Sequence, residues 1–419
     1  MTTQETIRPG YKQTEVGVIP EDWDAVSICS VARLESGHTP SKRVPAYWDG
    51  PIPWVSLHDS EGLDELRIES TEQTVSQEGI DNSSARILPE GTVVFSRTAT
   101  VGKCTILACP MATSQDFANY ICGPELYNEF LVYLFRSMSR RWKNLMAGSI
   151  HNTIYMPVFQ TLKIPLPPIS EQRSIAEALG DADARIAALE ALIAKKRDLK
   201  QATMQQLLTG KNRLPGFSKN WNDVPLGDLF IFKNGLNKAK EFFGHGSPII
   251  NYMDVFGSAG IKAHEVLGKV SVTTDEIRTY GAQKGDVFFT RTSETTDEIG
   301  ISSVLLETVP NCVFSGFVLR ARPKNQMLED QFKQYCFSSR HVRDQIIASA
   351  SYTTRALTNG RNLSSVRMAI PETDEQIAIA EVLSDMDDEI TALEAEAEKA
   401  RAIKQGMTQI LLTGKTRLV

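Results

Sequence analysis

A long segment of this chain occurs twice. Residues 171–214 and 375–418 align without a gap, and 25 of their 44 positions are identical. Such identity within one chain indicates a duplicated structural unit, which must be interpreted before any short motif. Glu, Gln, Ala, Leu, Lys and Arg dominate both copies and neither copy contains proline, so each copy predicts one long helix.

Matching residues mark the beginning of the two predicted helices. Ser170 and Asp374 are residue types that cap helix N-termini, and we expect them to occupy the N-cap positions. Glu171 and Glu375 follow them, where the helix dipole favours a carboxylate. The two helices are therefore expected to begin at equivalent points of the repeat.

Apolar residues recur every seven positions along both helices, which end at Gly210 and Gly414, the residue type that favours a left-handed C-terminal conformation. This heptad pattern is typical of a coiled coil. One lysine interrupts each series, Lys200 or Lys404, and we expect it to set the register, with a functional role as the alternative. The predicted spacer residues are Leu179, Ile186, Leu189, Ile193, Leu207, Leu383, Ile390, Leu393 and Leu411.

The length of the helices predicts how they are used. At 1.5 Å per residue, about 39 residues span roughly 58 Å, which is too long for one globular core. Pairing the two helices buries both apolar seams, and a folded domain between them favours an antiparallel pair. Such a pair with a domain on each helix has pseudo-two-fold symmetry.

The length of 419 residues and the composition are typical of a multidomain protein and contain no signal for a metal site or a membrane span. The six cysteines include no C-x-x-C pair and the six histidines are scattered, so no metal ligands are predicted. No apolar run approaches the roughly 18 residues of a membrane span, and we expect a cytoplasmic protein.

Removing the 11 acids of residues 372–398 from the net charge of −6 leaves +5 for the rest of the chain. That acidic run is either a solvated face or a protein-docking face.

The rest of the chain predicts two mixed α/β (α+β) domains that alternate with the helices. Residues 91–97 (GTVVFSR) match residues 285–291 (GDVFFTR), a turn glycine followed by a strand and an arginine. One further helix is expected in each domain, over 129–146 and 328–348. The predicted domains are 1–163 (N-terminal arm and first mixed domain), 164–214 (first helix), 215–369 (second mixed domain) and 370–419 (second helix).

No catalytic residue is predicted in this chain. Gly414-Lys415-Thr416 resembles the end of a phosphate-binding loop, but position 409 is Gln where that loop needs glycine. We find no N/D-P-P-Y/F tetrapeptide of adenine methyltransferases and no nucleophile elbow. These absences favour a binding protein over an enzyme.

Polar and basic loops recur at matched points of the two domains. Arg and Lys suit guanine edges and phosphates, and Asn and Gln suit adenine edges, so these loops predict DNA contacts. Arg97 and Arg291 are the best-matched pair, and for every candidate a surface side chain or local salt bridge is the alternative. The candidates are Ser41, Lys42, Arg43, Arg97, Lys103, Gln115, His151, Asn152, Lys233, Asn237, Lys238, Arg291, Ser293, Tyr352, Arg355 and Arg361.

Three motifs resemble the conserved regions of type I restriction–modification specificity subunits. They are PLPPISEQ at 165–172 before the first helix, LLTGKxRL at 207–214 and 411–418, and the opening residues 10–23 with 36–41 and 52–55. The resemblance extends over essentially the whole chain, and its motifs agree with the duplication in order and spacing.

The resemblance implies a DNA sequence-specificity subunit without catalysis of its own. Each mixed domain is then a target-recognition domain that binds one half of a bipartite DNA site. The helices are a spacer and a dock for two modification subunits, which bring S-adenosylmethionine and methylate adenine. Two motor–nuclease subunits, which use ATP and Mg, can join them to give restriction. The alternatives are a specificity subunit of a methylation-only or other DNA-based defence system, and an autonomous nuclease.

Overall fold

A computed structural model describes residues 7–146, 152–352 and 354–418. The chain divides into two compact units. Unit 1 comprises Met1–Leu189 and Glu396–Val419, and unit 2 comprises Glu190–Ala395. The two long helices, Ile169–Leu207 and Thr373–Leu411, contain 39 residues each, and each supplies one segment to either unit.

The long helices begin before the predicted cap residues, so the N-cap prediction is wrong. Ser170 and Asp374 both lie inside the first helical turn. The carbonyl oxygens of Pro168 and Glu372 accept hydrogen bonds from the amides four residues later, both at 3.0 Å. The N-terminal ends of the helices are thus set by these backbone acceptors and not by a Ser or Asp side chain.

At the C-terminal ends the predicted left-handed glycines are confirmed, although the helices end three residues earlier, at Leu207 and Leu411. Gly210 and Gly414 adopt left-handed backbone conformations with φ of 65° and 66°. Among the predicted spacer residues, Leu189 and Ile193 are buried in the helical segments, whereas Leu179 and Leu383 belong to the cores of units 1 and 2. The heptad positions therefore serve both helix pairing and packing of each helix on a domain.

Within each unit the two helical segments are antiparallel. Ion pairs join them, and the residue number rises along one segment as it falls along the other. The pairs are Asp183–Lys404 and Arg185–Glu396 in unit 1, and Lys196–Glu389 and Lys200–Asp387 in unit 2. The acidic run at 372–398 supplies three of these carboxylates, so part of its charge is neutralised by the basic residues of the first helix.

Among the residues that the structure describes, unit 1 contains two sheets, two strand pairs and five short α-helices. Its strands are β1 (Tyr11–Thr14), β2 (Gly17–Pro20), β3 (Asp24–Ser27), β4 (Ala32–Ser36), β5 (Trp48–Val55), β6 (Arg67–Ile68), β7 (Thr74–Val75), β8 (Val93–Ser96), β9 (Cys104–Leu107), β10 (Ala112–Thr113), β11 (Phe117–Cys122) and β12 (Lys163–Leu166). Its helices are α1 (Ile28–Val31), α2 (Gln77–Asp81), α3 (Asn128–Ser137), α4 (Ser139–Met146) and α5 (Met156–Gln160), followed by the first long helix as α6.

The five-stranded sheet of unit 1 has the order β4-β11-β8-β9-β6, and the three-stranded sheet has the order β10-β5-β7. Successive residues of β8 face opposite sides of the sheet, as the period of a strand requires. Val93 and Phe95 pack in the core that contains α3, α4 and the long helices, whereas Val94 packs in a second core that contains Val55 of β5. Strand β8 is buried on both faces and carries Arg97 just beyond its end.

Unit 2 repeats this plan. Its strands are β13 (Asn222–Pro225), β14 (Phe230–Asn234), β15 (Phe243–Ile250), β16 (Gly260–Ile261), β17 (Lys269–Val270), β18 (Val287–Thr290), β19 (Thr292–Ser293), β20 (Ser302–Leu305), β21 (Val313–Phe314), β22 (Val318–Pro323), β23 (Ser351–Tyr352), β24 (Ala356–Leu357) and β25 (Arg367–Ile370). Its helices are α7 (Leu226–Leu229), α8 (Tyr252–Phe256), α9 (Thr274–Tyr280), α10 (Asp330–Lys333), α11 (Arg340–Ser349) and α12 (Gly360–Ser365), followed by the second long helix as α13.

Two sheets of unit 2 have the orders β14-β22-β18-β20-β16 and β17-β15-β21, which match those of unit 1 strand by strand, and unit 2 has in addition the three-stranded sheet β19-β24-β23. In both units the last pairing of the five-stranded sheet, β9–β6 or β20–β16, is parallel and the others are antiparallel. The predicted class, two mixed domains with two long helices of opposite direction, is confirmed.

The helix expected over 129–146 is two helices, α3 and α4, separated at Met138. Trp142 explains the break, because its indole N–H donates to the carbonyl of Phe135 at 2.7 Å and its ring lies against Phe95. The chain turns at Met138 and thereby buries the ring. The helix expected over 328–348 is likewise divided into α10, a 3-10 turn at Cys336–Ser338, and α11.

Candidate nucleic-acid interface

Arg97 joins three segments of unit 1. Its Nε and Nη2 donate to the carbonyl oxygen of Gln115 at 2.9 and 2.6 Å, and Nη1 donates to that of Ile154 at 3.4 Å. Its backbone amide donates to Asp116, and its carbonyl accepts from the amide of Ile154. The end of β8, the turn before β11 and the segment before α5 are therefore held together by one residue.

Arg291 occupies the equivalent position in unit 2. Its backbone amide donates to the carbonyl of Phe317 at 3.1 Å, and its own carbonyl accepts from Thr358 at 3.0 Å. Its Nη1 donates to the carbonyl of Gly316 at 3.4 Å. The two predicted arginines thus hold matching turns, residues 114–117 in unit 1 and 315–318 in unit 2, which we call the turns of the two units.

Each turn is also pressed against the loop that follows the edge strand of its sheet. A Cβ added to Gly37 would lie 2.0 Å from the carbonyl oxygen of Ser114, and one added to Gly235 would lie 2.1 Å from that of Ser315. In both units the next backbone amide donates to the carbonyl just before the turn, at 2.9 Å. Only glycine permits this approach, so both turns are fixed by close backbone contact.

Two further candidates of unit 1 lie beside Arg97. Gln115 is exposed on the turn, and its side-chain oxygen accepts a hydrogen bond from the hydroxyl of Thr39. Asn152 is exposed near the segment that Arg97 holds, and it adopts a left-handed conformation with φ of 48°. His151 lies outside the described residues.

The other candidates of unit 1 lie elsewhere. Ser41, Lys42 and Arg43 are exposed after β4, and the indole of Trp48 donates to the carbonyl of Ser41 at 3.2 Å. Lys103 donates to the carboxylate of Asp64 at 2.6 Å and to a backbone carbonyl at residue 60. Its charge is therefore satisfied locally, although a third of the side chain is exposed.

In unit 2, Asn237 lies against the turn, whereas the two lysines nearby contact α9 and the segment before it. A Cβ added to Gly316 would lie 1.9 Å from the side-chain oxygen of Asn237. Lys238 forms an ion pair with Glu276 at 2.8 Å, and this hydrogen bond lowers the pKa of the Glu276 carboxyl. Lys233 lies over the ring of Tyr280.

The remaining candidates of unit 2 lie on or beside β19, β23 and β24 and at the beginning of α12. Ser293 is buried and donates to Glu298 at 3.1 Å, and Arg355 lies 3.8 Å from Glu294. Tyr352 is 60% exposed on β23. Arg361 is exposed at the beginning of α12. DNA contact by any of the candidates in either unit stays a prediction.

A buried carboxylate that the sequence interpretation assigned to the helix dipole anchors the first long helix in unit 1. Glu171 accepts hydrogen bonds from Arg417 at 2.7 and 2.8 Å and from the indole of Trp23 at 2.9 Å. Arg417 also donates to Asp22 at 2.8 and 2.6 Å, which lowers the pKa of the Asp22 carboxyl. Arg417 thereby binds the segment after the second long helix to the first domain.

Unit 2 repeats this anchor on Glu375. The carboxylate accepts from Arg213 at 2.5 and 2.6 Å and from the indole of Trp221 at 3.1 Å. Both carboxylates are almost completely buried. The identity of the two repeats at these positions was the available signal, but an N-terminal helical Glu has a simpler local explanation, so the anchor was missed.

The two heptad lysines belong to a second repeated contact. Lys404 pairs with Asp183, which also accepts from the hydroxyl of Tyr133 at 3.1 Å. Lys200 pairs with Asp387, which accepts from Tyr335 at 2.9 Å. Burial is the main reason that the pKa of both tyrosines is raised. The contact ties the helix pair to a helical domain segment in each unit.

Within residues 7–146, 152–352 and 354–418 there is no group of three His, Cys, Asp or Glu residues that could hold a metal ion. In the same residues, no helix has both the length and the apolar character to cross a membrane.

Comparison with known proteins identifies the repeated units. The family model described as "Type I restriction modification DNA specificity domain" matches twice, at residues 20–196 and 218–403. The MjaIX specificity subunit of Methanocaldococcus jannaschii is 24% identical over 311 residues, which cover 70% of this chain and 72% of the relative. The EcoKI specificity subunit of Escherichia coli is 23% identical over 422 residues, covering 94% and 89%.

Solved structures share the fold. A chain from a study of complex assembly and conformational transition of the type I R-M system has a TM-score of 0.63 at 18% identity, covering 95% of this chain and 99% of its own. The type I S subunit from M. genitalium has a TM-score of 0.54 at 15% identity, covering 98% of both. The two family matches together extend over most of the sequence, and the chain therefore belongs to the type I restriction–modification DNA specificity family.

Proposed function

We propose that this chain reads a bipartite double-stranded DNA site for a type I restriction–modification complex, with one half-site bound by each unit. One observation carries the proposal. The same arginine-held turn occurs in both units on the same sheet framework, but different side chains are exposed on it. A repeated framework with different exposed groups suits two readers of different base sequences.

The chain supplies recognition, and partners supply the chemistry. We propose that modification subunits dock on the long helices and bring S-adenosylmethionine for methylation of adenine. Motor–nuclease subunits that use ATP and Mg would add restriction, with two copies of each partner. A methylation-only system is the second candidate, since it needs the same scaffold. The names of the curated relatives, all type I specificity subunits, support the first.

Methylome sequencing tests the proposal. The chain is expressed with its cognate modification subunit in a host that lacks other adenine methylation. We expect one bipartite motif, with methyladenine on each strand and a gap of fixed length between two specified halves. Replacing residues 221–362 with those of a relative should then change one half of the motif and leave the other unchanged.

The controls separate recognition from catalysis. The chain expressed without the modification subunit should give no methylation, and the purified chain should not cut DNA. A stable complex with the modification subunit that leaves the genome unmethylated would contradict the proposal. A single undivided motif would contradict the assignment of one half-site to each unit.

A further inference from the structure

Equivalent residues of the two turns make equivalent hydrogen bonds. In unit 1 the amide of Asp116 donates to the hydroxyl of Ser114 at 3.2 Å, and in unit 2 the amide of Phe317 donates to the hydroxyl of Ser315 at 3.3 Å. The carbonyls of Asp116 and Phe317 accept from the backbone amides of the two arginines, at 3.0 and 3.1 Å. Asp116 and Phe317 therefore occupy the same framework position.

The side chains at this position have opposite chemistry. Asp116 is half-buried and accepts a hydrogen bond from the Ser114 hydroxyl at 2.9 Å, so the exposed polar group of that turn is its neighbour Gln115. Phe317 is 62% exposed and offers an apolar ring. A polar turn in one unit thus corresponds to an aromatic turn in the other.

The framework imposes the exposure of Phe317. Phe314, just before the turn, and Val318, its last residue, are fully buried in a core of unit 2. The amide of Gly316 donates to the carbonyl of Leu236 at 2.8 Å, which fixes the turn from a third side. A ring at this position cannot turn into the core without breaking these contacts. The backbone of the turn therefore keeps the ring of Phe317 exposed to solvent.

We propose that Phe317 is a specificity-determining residue of unit 2, which contacts the C5-methyl group of a thymine in the half-site bound by that unit. This inference rests on the proposed function. A phenyl ring has no charge for phosphate and no hydrogen-bonding group for a base edge, and contact with the thymine methyl is the apolar recognition that the major groove offers. Arg291 is the positioning residue, because it holds the turn by its backbone and guanidinium groups.

The first experiment compares the methylomes of the wild-type chain, Phe317→Ala and Gln115→Ala, each expressed with the cognate modification subunit. Phe317→Ala should relax one thymine-containing position in one half-site only, and Gln115→Ala should affect only the other half. Ile231→Ala is the matched control. Ile231 is 55% exposed near the N-terminal end of β14, whereas the turn contacts the loop after the C-terminal end of that strand, so the DNA motif of this variant should be the wild-type motif.

The second experiment tests the methyl contact. Binding of the purified complex is measured on DNA with thymine or uracil at the relaxed position, which differ only by the methyl group. The wild type should bind uracil DNA about fourfold more weakly than thymine DNA, which is the effect of losing one buried methyl group. Phe317→Ala should bind the two DNAs with equal affinity. Equal thermal unfolding of wild type and variant shows that the fold is retained.

Each outcome decides the proposal. A bipartite wild-type motif that Phe317→Ala leaves unchanged, or changes only in the half read by unit 1, overturns the role of Phe317 and leaves the proposed function intact. A relaxed position with equal wild-type binding to thymine and uracil overturns the methyl contact. Absence of a bipartite motif for the wild type counts against the proposed function itself.

Discussion

Units 1 and 2 differ in how the segments that form the buried anchor are connected along the chain. In unit 2, Arg213 reaches Glu375 from a segment that continues through residues 214–221 into Trp221 and β13. In unit 1, Arg417 reaches Glu171 from the C-terminal end of the chain, while Trp23 comes from the N-terminal end. The same anchor is thus made once within a continuous segment and once between two segments that are far apart in the sequence.

This comparison separates what the duplication preserves from what it lets vary. The buried anchor carboxylates, the Lys–Asp–Tyr contacts, the strand orders and the arginine-held turns are the same in both units. The exposed residues of the turns differ. Contacts that build the framework have been retained in both copies, and the side chains that meet solvent have diverged.

The largest expected effect comes from removing an anchor carboxylate. Glu171→Ala and Glu375→Ala should each lower the free energy of unfolding by about 2–4 kcal/mol, since each breaks a buried ion pair with an arginine and leaves an indole N–H without its acceptor, although Arg417 keeps its hydrogen bonds to Asp22. Only Glu171→Ala should also increase hydrogen exchange in residues 412–418, because this segment then loses its hydrogen bonds to Glu171 and keeps those to Arg8, Tyr11 and Asp22 and its apolar packing. Denaturant unfolding and hydrogen exchange of the two variants measure both effects.

Glu177 and Glu381 provide the matched controls. They are exposed and lie at equivalent positions six residues further along the two helices. Replacing either by Ala should change stability by no more than about 0.5 kcal/mol. Equal protection of residues 412–418 in Glu171→Ala and in the wild type would show that the C-terminal end is held by other contacts.

A smaller effect is expected at the two arginines. Arg97 makes three guanidinium hydrogen bonds and Arg291 makes one long one at 3.4 Å. Arg97→Ala should therefore cost about 1–3 kcal/mol and Arg291→Ala less than about 1 kcal/mol. Thermal unfolding of both variants measures the difference.

The methylomes of the same variants sharpen the comparison. Arg97→Ala should weaken recognition in one half-site and Arg291→Ala in the other, because each holds the turn of its own unit. If Arg291→Ala proves the more destabilising variant, the number of guanidinium hydrogen bonds does not determine how much each arginine stabilises its turn.

Sequence reasoning succeeded where repetition and periodicity carry the information. The long helices, their C-terminal glycines and the match between Arg97 and Arg291 follow from local composition and from alignment of the two halves. The predicted caps Ser170 and Asp374 failed because backbone carbonyls immediately upstream already begin the helix. Residue type favours a cap, but the path of the preceding chain decides where the helix begins.

The remainder depends on tertiary contacts that a sequence does not display. Trp142 breaks a segment of helical pattern because its ring is buried against Phe95, and propensity gives no warning of this. Phe317 directly precedes the buried Val318 and Leu319 in the sequence, and only the turn shows that its own ring is exposed. Arg97 lies directly after a strand, as the matched segments predict, but the contacts of its guanidinium with backbone carbonyls could not be predicted from spacing.

The smallest expected effect is that of moving the chain ends from unit 1 to unit 2. In unit 1 the hydroxyl of Tyr11 donates to the carbonyl of Gly414 at 2.8 Å, and Arg8 donates to that of Lys415 at 3.2 Å. The N-terminal and C-terminal segments therefore already lie together. In a circular permutant, a short flexible linker joins residue 418 to residue 7 and the chain is opened between Pro215 and Gly216.

The permutant should fold with stability within about 1 kcal/mol of the wild type, because it retains both anchors and only exchanges which of them is covalently continuous. Gly216 has φ of 93° and is exposed, so opening the chain there removes no buried contact of that residue. Opening at Leu189, in the middle of the first long helix, is the destabilising control. The methylome of the permutant should show the wild-type motif with the same gap. A soluble permutant with only one half of that motif would mean that the continuous segment 208–221 does more in unit 2 than the paired chain ends do in unit 1.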